Sequence, residues 1–305
     1  MTISETGSSE YLLSGASGMI GKAICRSLSG QRIGWKQLVR REPQSDRELV
    51  LDSLSTADPA GLRAVIHLSG ANIAAHRWTN AYKSEMRQSR VESTARLAKA
   101  LAALPQRPQV LLVASATGFY GNRGDELLTE QSAVGSGYFP ELCQQWEDAA
   151  EPAIAAGIRV VHLRFGVVLG MIGGHAEGAL ARLLPVFRLG LGGPIGNGRQ
   201  WMSWIALDDL VRAVLFAADN ATLSGPLNLV APAPVTNAEF TRELAKAVHR
   251  PAVFPVPAFA LRLAFGEMAD EALLASTRAI PQRLAEAGFR FEAPILSVAL
   301  KQILG

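Results

Sequence analysis

The sequence predicts an α/β protein: a doubly wound parallel sheet with helices on both faces, followed by a smaller C-terminal α/β lobe. Three observations predict it. Short apolar runs alternate with segments of helical periodicity as far as Gly166. The run VLLVAS at 110–115 has no polar residue before its terminal serine, as a strand covered on both faces requires. A loop of evenly spaced glycines, SGASGMIG at 14–21, separates the first strand from the first helix.

The elements follow in order. YLLS (11–14) is a short apolar run that ends on Gly15. Met19, Ile20, Ala23, Ile24 and Leu28 then recur at helical spacing. WKQLV (35–39), ELVL (48–51) and AVIHLS (64–69) read as strands. A long helix is expected over about Asn80–Ala103, where Val91, Ala95, Ala98 and Leu101 share one side. After VLLVAS, a helix over Glu141–Ala156 leads into the strand RVVHLRFG (159–166). Beyond Gly166 glycines cluster at 173–174 and 190–198, and prolines concentrate over 226–257. Helical segments at 178–189, 207–219, 237–248 and 268–287 alternate there with short strands such as LNLV (227–230), and the chain is expected to return to the sheet near 200–230. The expected division is a nucleotide-binding domain over 1–170 plus about 200–222, and a substrate-side lobe over 171–199 and 223–305. Residues 1–9 read as a loose tail.

Composition narrows the function. Of 305 residues, 49% are apolar and 19% charged, which is a globular balance. Net charge is +3 and the arginines are scattered, so the sequence offers no basic stripe for nucleic acid. Cys25 and Cys143 form neither a disulfide framework nor a metal-ligand spacing, and a reducing cytoplasm is the expected compartment. The polar start MTISETGSSE does not read as a signal peptide. The most apolar late stretch, VFPVPAFALRLAFG (253–266), is interrupted by prolines and Arg262 and is too short to span a bilayer. The expected partner is a small molecule, without nucleic acid, membrane or metal.

The glycine loop carries the first functional expectation. Gly15 permits a tight turn, Gly18 lets backbone approach a pyrophosphate, and Gly21 lets the helix pack close to the strand. Around Ser17, Met19 and Ile20 the helix start offers free N–H groups and partial positive charge to phosphate. The sheet is therefore expected to be of Rossmann type. At the end of the second strand, an acidic residue would bind the ribose 2′-hydroxyl of NAD. This strand ends instead in Arg40-Arg41-Glu42. A guanidinium suits a 2′-phosphate, so NADP is the expected cofactor, with Arg40 the first candidate ligand and Arg41 the second. The alternative is a pair of solvated arginines, with Glu42 left to take a ribose hydroxyl. In HLSGAN (67–72), Leu68, Ser69 and Gly70 are expected along the cofactor, and His67 as a core or rim residue.

Together SGASGMIG, HLSGAN and SATGFYG (115–121) resemble the extended short-chain dehydrogenase/reductase superfamily. The longer motifs RWTNAYKSEMRQSRVEST (77–94), FRLGLGGPIGNGRQWMSWI (187–205), NLVAPAPVTNAEF (228–240) and IPQRLAEAGFRFEAPILSVAL (280–300) resemble its epimerase-like subgroup with an extra C-terminal domain. The resemblance covers nearly the whole chain. Members carry labels such as nucleotide-sugar epimerase or cell-division inhibitor, labels that follow fold more than assay. The resemblance implies that Arg90 occupies the position of a superfamily asparagine and faces NADP, with Glu85 on the same side. The alternative for Arg90 is a surface residue paired with an acid. Ala206 departs from the pattern, standing where related sequences carry a histidine just ahead of Asp208-Asp209.

The resemblance also implies a catalytic Tyr-x-x-x-Lys pair at a helix start, where the lysine charge stabilises the phenolate and grips the nicotinamide ribose. Aligning the superfamily glutamate with Glu147 puts Phe139 at the tyrosine and Cys143 at the lysine. Phe139 has no proton to give, and Cys143 is too short to replace a lysine. Tyr138 is followed four residues on by Leu142, so it has no lysine partner either. As a thiol near a helix start Cys143 is either redox-responsive or buried and inert. Ser115 fits the superfamily serine that orients the substrate oxygen, and Thr117 is the next candidate. Tyr120 either lines the pocket or packs at the lobe junction. Arg164 and Arg199 are candidates for an anionic substrate group such as a diphosphate, or for bracing the lobes. Trp201 and Trp204 read as lobe core.

Two functions follow. One is an NADP-dependent oxidoreductase or epimerase acting on a sugar-like or other polar substrate, nucleotide sugars included, with Phe139/Cys143 in place of the usual pair. The other is a non-catalytic NADP(H)-binding regulator or scaffold linked to cell division. A homodimer is the candidate assembly.

Overall fold

The computed structural model describes residues 10–54 and 61–305; the tail expected at 1–9 lies outside them. Seven strands form the main sheet: β1 (Tyr11–Ser14), β2 (Trp35–Leu38), β3 (Glu48–Leu49), β4 (Ala64–His67), β5 (Val110–Ala116), β6 (Arg159–Phe165) and β7 (Gly225–Leu229). Their order is β7-β6-β5-β4-β1-β2-β3 and every pairing is parallel. The order reverses between β1 and β4, so the crevice for a ligand lies beyond Ser14 and His67, whose strands pair along their length.

The helices are α1 (Met19–Gly30), α2 (Asn80–Arg87), α3 (Ser93–Ala102), α4 (Tyr138–Asp148), α5 (Glu151–Ala155), α6 (Gly178–Arg188), α7 (Leu207–Asp219), α8 (Asn237–Ala247), α9 (Ala258–Phe265), α10 (Gln282–Glu286) and α11 (Leu296–Leu304). Successive strand residues point to opposite faces. Leu13, Ile66 and Leu112 join one core with Ile24 and Leu28 of α1 and Leu210 and Val214 of α7. Leu12, Val65 and Leu111 join the other with Leu97 and Leu101 of α3 and Trp146 of α4. A third core, around Trp204, Phe240, Leu184 and Leu296, holds the C-terminal lobe together.

Four expectations change. The helix over 80–103 is interrupted by a wide, five-residue-spaced turn at Gln88–Glu92. The helix expected over 141–156 starts at Tyr138 and breaks before Glu151, ahead of Pro152, which has no N–H to continue the ladder. Its earlier start has a distant cause: the Glu271 carboxylate accepts the N–H groups of Tyr138 (3.0 Å) and Phe139 (2.6 Å). Residues 268–287 are not one helix, since a wide turn (Ala269–Leu273), a short strand (Arg278–Ala279) on Leu127–Leu128, and α10 after Pro281 divide them. The return to the sheet is β7, which lies on the lobe side of the division expected at 222/223. Among the described residues no helix is long and apolar enough to cross a membrane.

Buried Asp209 in the first turn of α7 anchors the C-terminal segment. Its carboxylate accepts the N–H groups of Glu292 (2.9 Å) and Ala293 (2.8 Å) and an Arg212 N–H (2.7 Å). Asp209→Ala strips the partners from these donors and is expected to lower unfolding free energy by about 2–4 kcal/mol in urea denaturation.

Candidate functional site

The crevice starts at the glycine loop. Gly15 has φ +73°, and a Cβ there would stand 2.8 Å from the Leu68 carbonyl carbon. A Cβ on Gly21 would stand 2.3 Å from the Gly15 oxygen, so α1 packs on the turn as close as backbone allows. Gly18 differs. Its φ is −76°, and a Cβ would meet only the Gly15 oxygen, at 3.5 Å. Among the described residues nothing requires glycine there, which leaves the surface above it open to close approach. No side chain caps α1, so its first-turn N–H groups, at Met19 and Ile20, remain available to an anion. Ser17 is exposed beside them.

Leu68, Ser69 and Gly70 continue β4 along the same edge, with the Leu68 N–H donating to the Ser14 carbonyl. His67 is buried, its Nδ1 2.6 Å from Ser14 Oγ and its Nε2 3.3 Å from Ser93 Oγ. Burial pushes its pKa down to about 4, so it is a neutral core residue. At the end of β2 the two arginines part company. Arg41 is pinned to Glu48 of β3 by two hydrogen bonds of 2.8 and 2.7 Å, which removes it as a free ligand for a 2′-phosphate. Arg40 is exposed and, among the described residues, has no partner.

Arg90 is 6% exposed and among the described residues has no carboxylate partner, which overturns its alternative reading as a surface residue paired with an acid. Its guanidinium donates to the carbonyls of Ala71 (2.8 Å) and Met86 (3.4 Å) and lies 5.0 Å from the Trp146 ring centroid, while its Nε has no partner. It packs against Gly70, where a Cβ would approach its Cζ to 3.2 Å. The wide turn at 88–92 carries Arg90, and Glu85 is exposed on α2.

The catalytic candidates separate as well. Ser115 and Tyr120 are both buried. Ser115 Oγ donates to Glu147 (2.7 Å), and Arg164 grips the same carboxylate through two bonds of 2.8 Å. Arg164 also donates to Tyr120 Oη (3.0 Å), which donates to Asn228 of β7 (2.7 Å). Tyr120 therefore does not line a pocket, Ser115 does not face the crevice with a free hydroxyl, and Arg164 is not available to an anionic substrate. Thr117 is half-buried at the end of β5, and among the described residues its hydroxyl has no partner. Arg199 is exposed. Trp204 is buried in the lobe core, whereas Trp201 is half-buried and donates to Asp125 (2.7 Å).

Phe139 is buried against Gly118, where a Cβ would stand 2.3 Å from its ring. Cys143 is fully buried, and burial pushes its thiol up to about 12. It is a buried, neutral thiol. Tyr138 donates its hydroxyl to the Lys83 carbonyl (3.0 Å), and burial raises its pKa to about 12. Sequence reasoning missed the Glu147–Arg164 pair as a structural hub. The signal was present, because an arginine inside the apolar strand RVVHLRF demands a buried carboxylate. Glu271 carried no local signal at all.

These features define an NAD(P)-binding α/β protein of the short-chain dehydrogenase/reductase type. Residues 11–229 match the NAD dependent epimerase/dehydratase family and residues 256–303 a domain of unknown function, DUF1731. The chain belongs to the NAD-dependent epimerase/dehydratase family. An epimerase family protein of Mycobacterium bovis is 44% identical over 94% of this chain and 95% of its own. The bovine (Bos taurus) epimerase family protein SDR39U1 is 37% identical over 96% of this chain and 99% of its own. The crystal structure of human SDR39U1 (isoform 2) with NADPH superposes with a TM-score of 0.88 at 33% identity, covering 96% of this chain and 98% of that one. A nucleoside-diphosphate sugar epimerase of Corynebacterium glutamicum superposes with a TM-score of 0.79 at 34% identity, covering 97% of this chain and 58% of that one.

Glu147→Ala leaves the Arg164 cation buried and alone, at an expected cost of about 3–5 kcal/mol in urea unfolding. The double variant E147A/R164A is expected to lose less than the two single losses combined, which a double-mutant cycle reads directly. His67 titrates near 4 when folded against an ordinary 6.5, so between those values only the unfolded chain binds its proton. Stability from this residue is complete above about pH 6.5 and is lost as pH falls toward 4, on the order of 3 kcal/mol. In His67→Gln the unfolding free energy is expected to vary less steeply across that window.

Proposed function

We propose that the chain binds NADP(H) across the β1/β4 crevice and acts as an oxidoreductase or epimerase on a polar, sugar-like substrate at the C-terminal end of β5. One observation carries this reading: the glycine cradle is open over Gly18 while Arg40, at the end of the next strand, is a guanidinium without a partner among the described residues. The cradle suits a pyrophosphate, and the free cation suits a 2′-phosphate. The NADPH in the human relative's structure supports the same choice.

Bound NADP(H) supplies or takes up a hydride. Thr117 orients the reacting oxygen with its free hydroxyl. Arg90 brings a buried positive charge to the surroundings of Cys143, the position at which the superfamily carries lysine. Phe139 and Cys143 move no proton, and Tyr120 and Tyr138 are engaged elsewhere, so water is the group left to exchange one. Phe139 packed on Gly118 beside a neutral Cys143 favours a second reading, an NADP(H)-binding regulator without turnover.

Fluorescence titration tests the cofactor. Arg40→Ala is expected to weaken NADPH at least about tenfold and NADH little. Equal losses for both cofactors refute the assignment. Turnover is tested with carbonyl compounds and nucleotide sugars, using product analysis because an epimerase recycles its hydride. Thr117→Val is expected to cut turnover by about tenfold or more with NADPH affinity intact. If NADPH binds and no substrate turns over, the regulator reading stands.

A further inference from the structure

The stretch VFPVPAFALRLAFG, too interrupted to span a bilayer, is largely unburied. Among the described residues eleven large apolar side chains are exposed, and eight of them fall within 186–191 and 253–263. Leu189, Leu191, Val253, Phe254, Phe259 and Leu263 are each between 54% and 76% exposed. Backbone bonds bring the two segments side by side: the Phe254 N–H donates to the Gly192 carbonyl (3.1 Å) and the Val256 N–H to that of Pro194 (2.9 Å). Arg250 Nε adds a bond to the Arg188 carbonyl (3.1 Å). Phe259 and Leu263, four residues apart, share one face of α9. A soluble surface seldom leaves so many large apolar groups together in water.

Charge indicates what covers them. A shallow cleft of about 720 Å³ runs between Pro194 and Pro251, with Arg242, Lys246, His249 and Arg250 on its walls. Arg242 (3.7 Å) and Lys246 (2.9 Å) share one carboxylate, Glu243. The Arg250 guanidinium reaches only carbonyl oxygens, and among the described residues the Arg188 side chain has no partner. A second copy meeting this face about a two-fold axis through the cleft would set these cations against themselves. An anionic bilayer complements both halves, with phosphates for the cleft and acyl chains for the leucines and phenylalanines.

We propose that this face, shared by the end of α6 and the start of the DUF1731 segment, docks the protein on anionic phospholipid membranes. The docking is peripheral and involves no spanning segment. It extends beyond the cofactor reading and does not rest on it.

The test is co-sedimentation of the full chain with vesicles of phosphatidylcholine alone or mixed with phosphatidylglycerol. Partition to the mixed vesicles is expected to exceed that to pure phosphatidylcholine by about tenfold at low salt and to fall at high salt. F259D/L263D and R242E/K246E are each expected to reduce partition by about fivefold or more. Both variants change exposed side chains, so their thermal unfolding and NADPH titration are expected to match the unaltered chain. No preference for anionic vesicles, or equal partition of both variants and the unaltered chain, overturns the proposal. So does a dimer in sedimentation velocity that F259D/L263D converts to monomer, since the face is then an interface between copies.

Discussion

The buried ion pair between Glu147 and Arg164 is the constraint on which the site depends. Two charges removed from water are stable only when their remaining hydrogen-bonding capacity is met. Here Ser115 and two guanidinium donors satisfy the carboxylate, and Tyr120 accepts from the same guanidinium. These partners come from α4, β6, the end of β5 and the turn that follows it. The pair therefore fixes the rotation of α4 about its own axis against the C-terminal edge of the sheet. Phe139 and Cys143 lie on this helix, so its rotation also sets the Phe139 ring on Gly118 and the Cys143 thiol in the core.

The same region holds a second buried cation, Arg90. Arg90 sits on the wide turn between α2 and α3 with only neutral acceptors around it. Its charge lowers the Cys143 thiol, but the burial penalty is larger, and the thiol stays neutral. A cation is thus held near that position from a neighbouring helix, and Trp146 and the Ala71 carbonyl fix it there. A lysine on α4 would have reached from a flexible stem. The guanidinium is planar and locked by its carbonyl and ring partners.

The parts legible in the sequence were those decided locally. Strand periodicity, the glycine turn and the first helix depend on neighbouring residues and backbone sterics, and the structure has them where the pattern puts them. The site was legible only to the level of candidates. Arg40 and Arg41 are chemically identical neighbours, and what distinguishes them is Glu48, one strand away in the sheet. Ser115 near the end of β5 and Thr117 just past it are close alternatives, and what distinguishes them is Glu147, thirty-two residues downstream of Ser115. The wide turn at 88–92 leaves the apolar periodicity of its helix nearly unchanged, so pattern reading runs through it.

The C-terminal segment is part of this arrangement and not an appendage to it. Glu271 accepts the first free N–H groups of α4, and Gly137, at φ +116°, makes room for its carboxylate: a Cβ there would stand 2.7 Å from Glu271 Oε1. At the far side of the same helix, Tyr120 passes the Glu147–Arg164 network to Asn228, whose N–H donates to Glu130. Glu130 in turn accepts the N–H of Arg283 at the start of α10. Helix α4 is thus held from its N-terminus and through its buried face by residues contributed from position 228 onward. A Rossmann domain cut before that point would lose the anion that caps α4 and the partner of Tyr120 together. The Glu271 side chain and the Arg283 N–H, both within the DUF1731 segment, therefore help to position the helix at the candidate site.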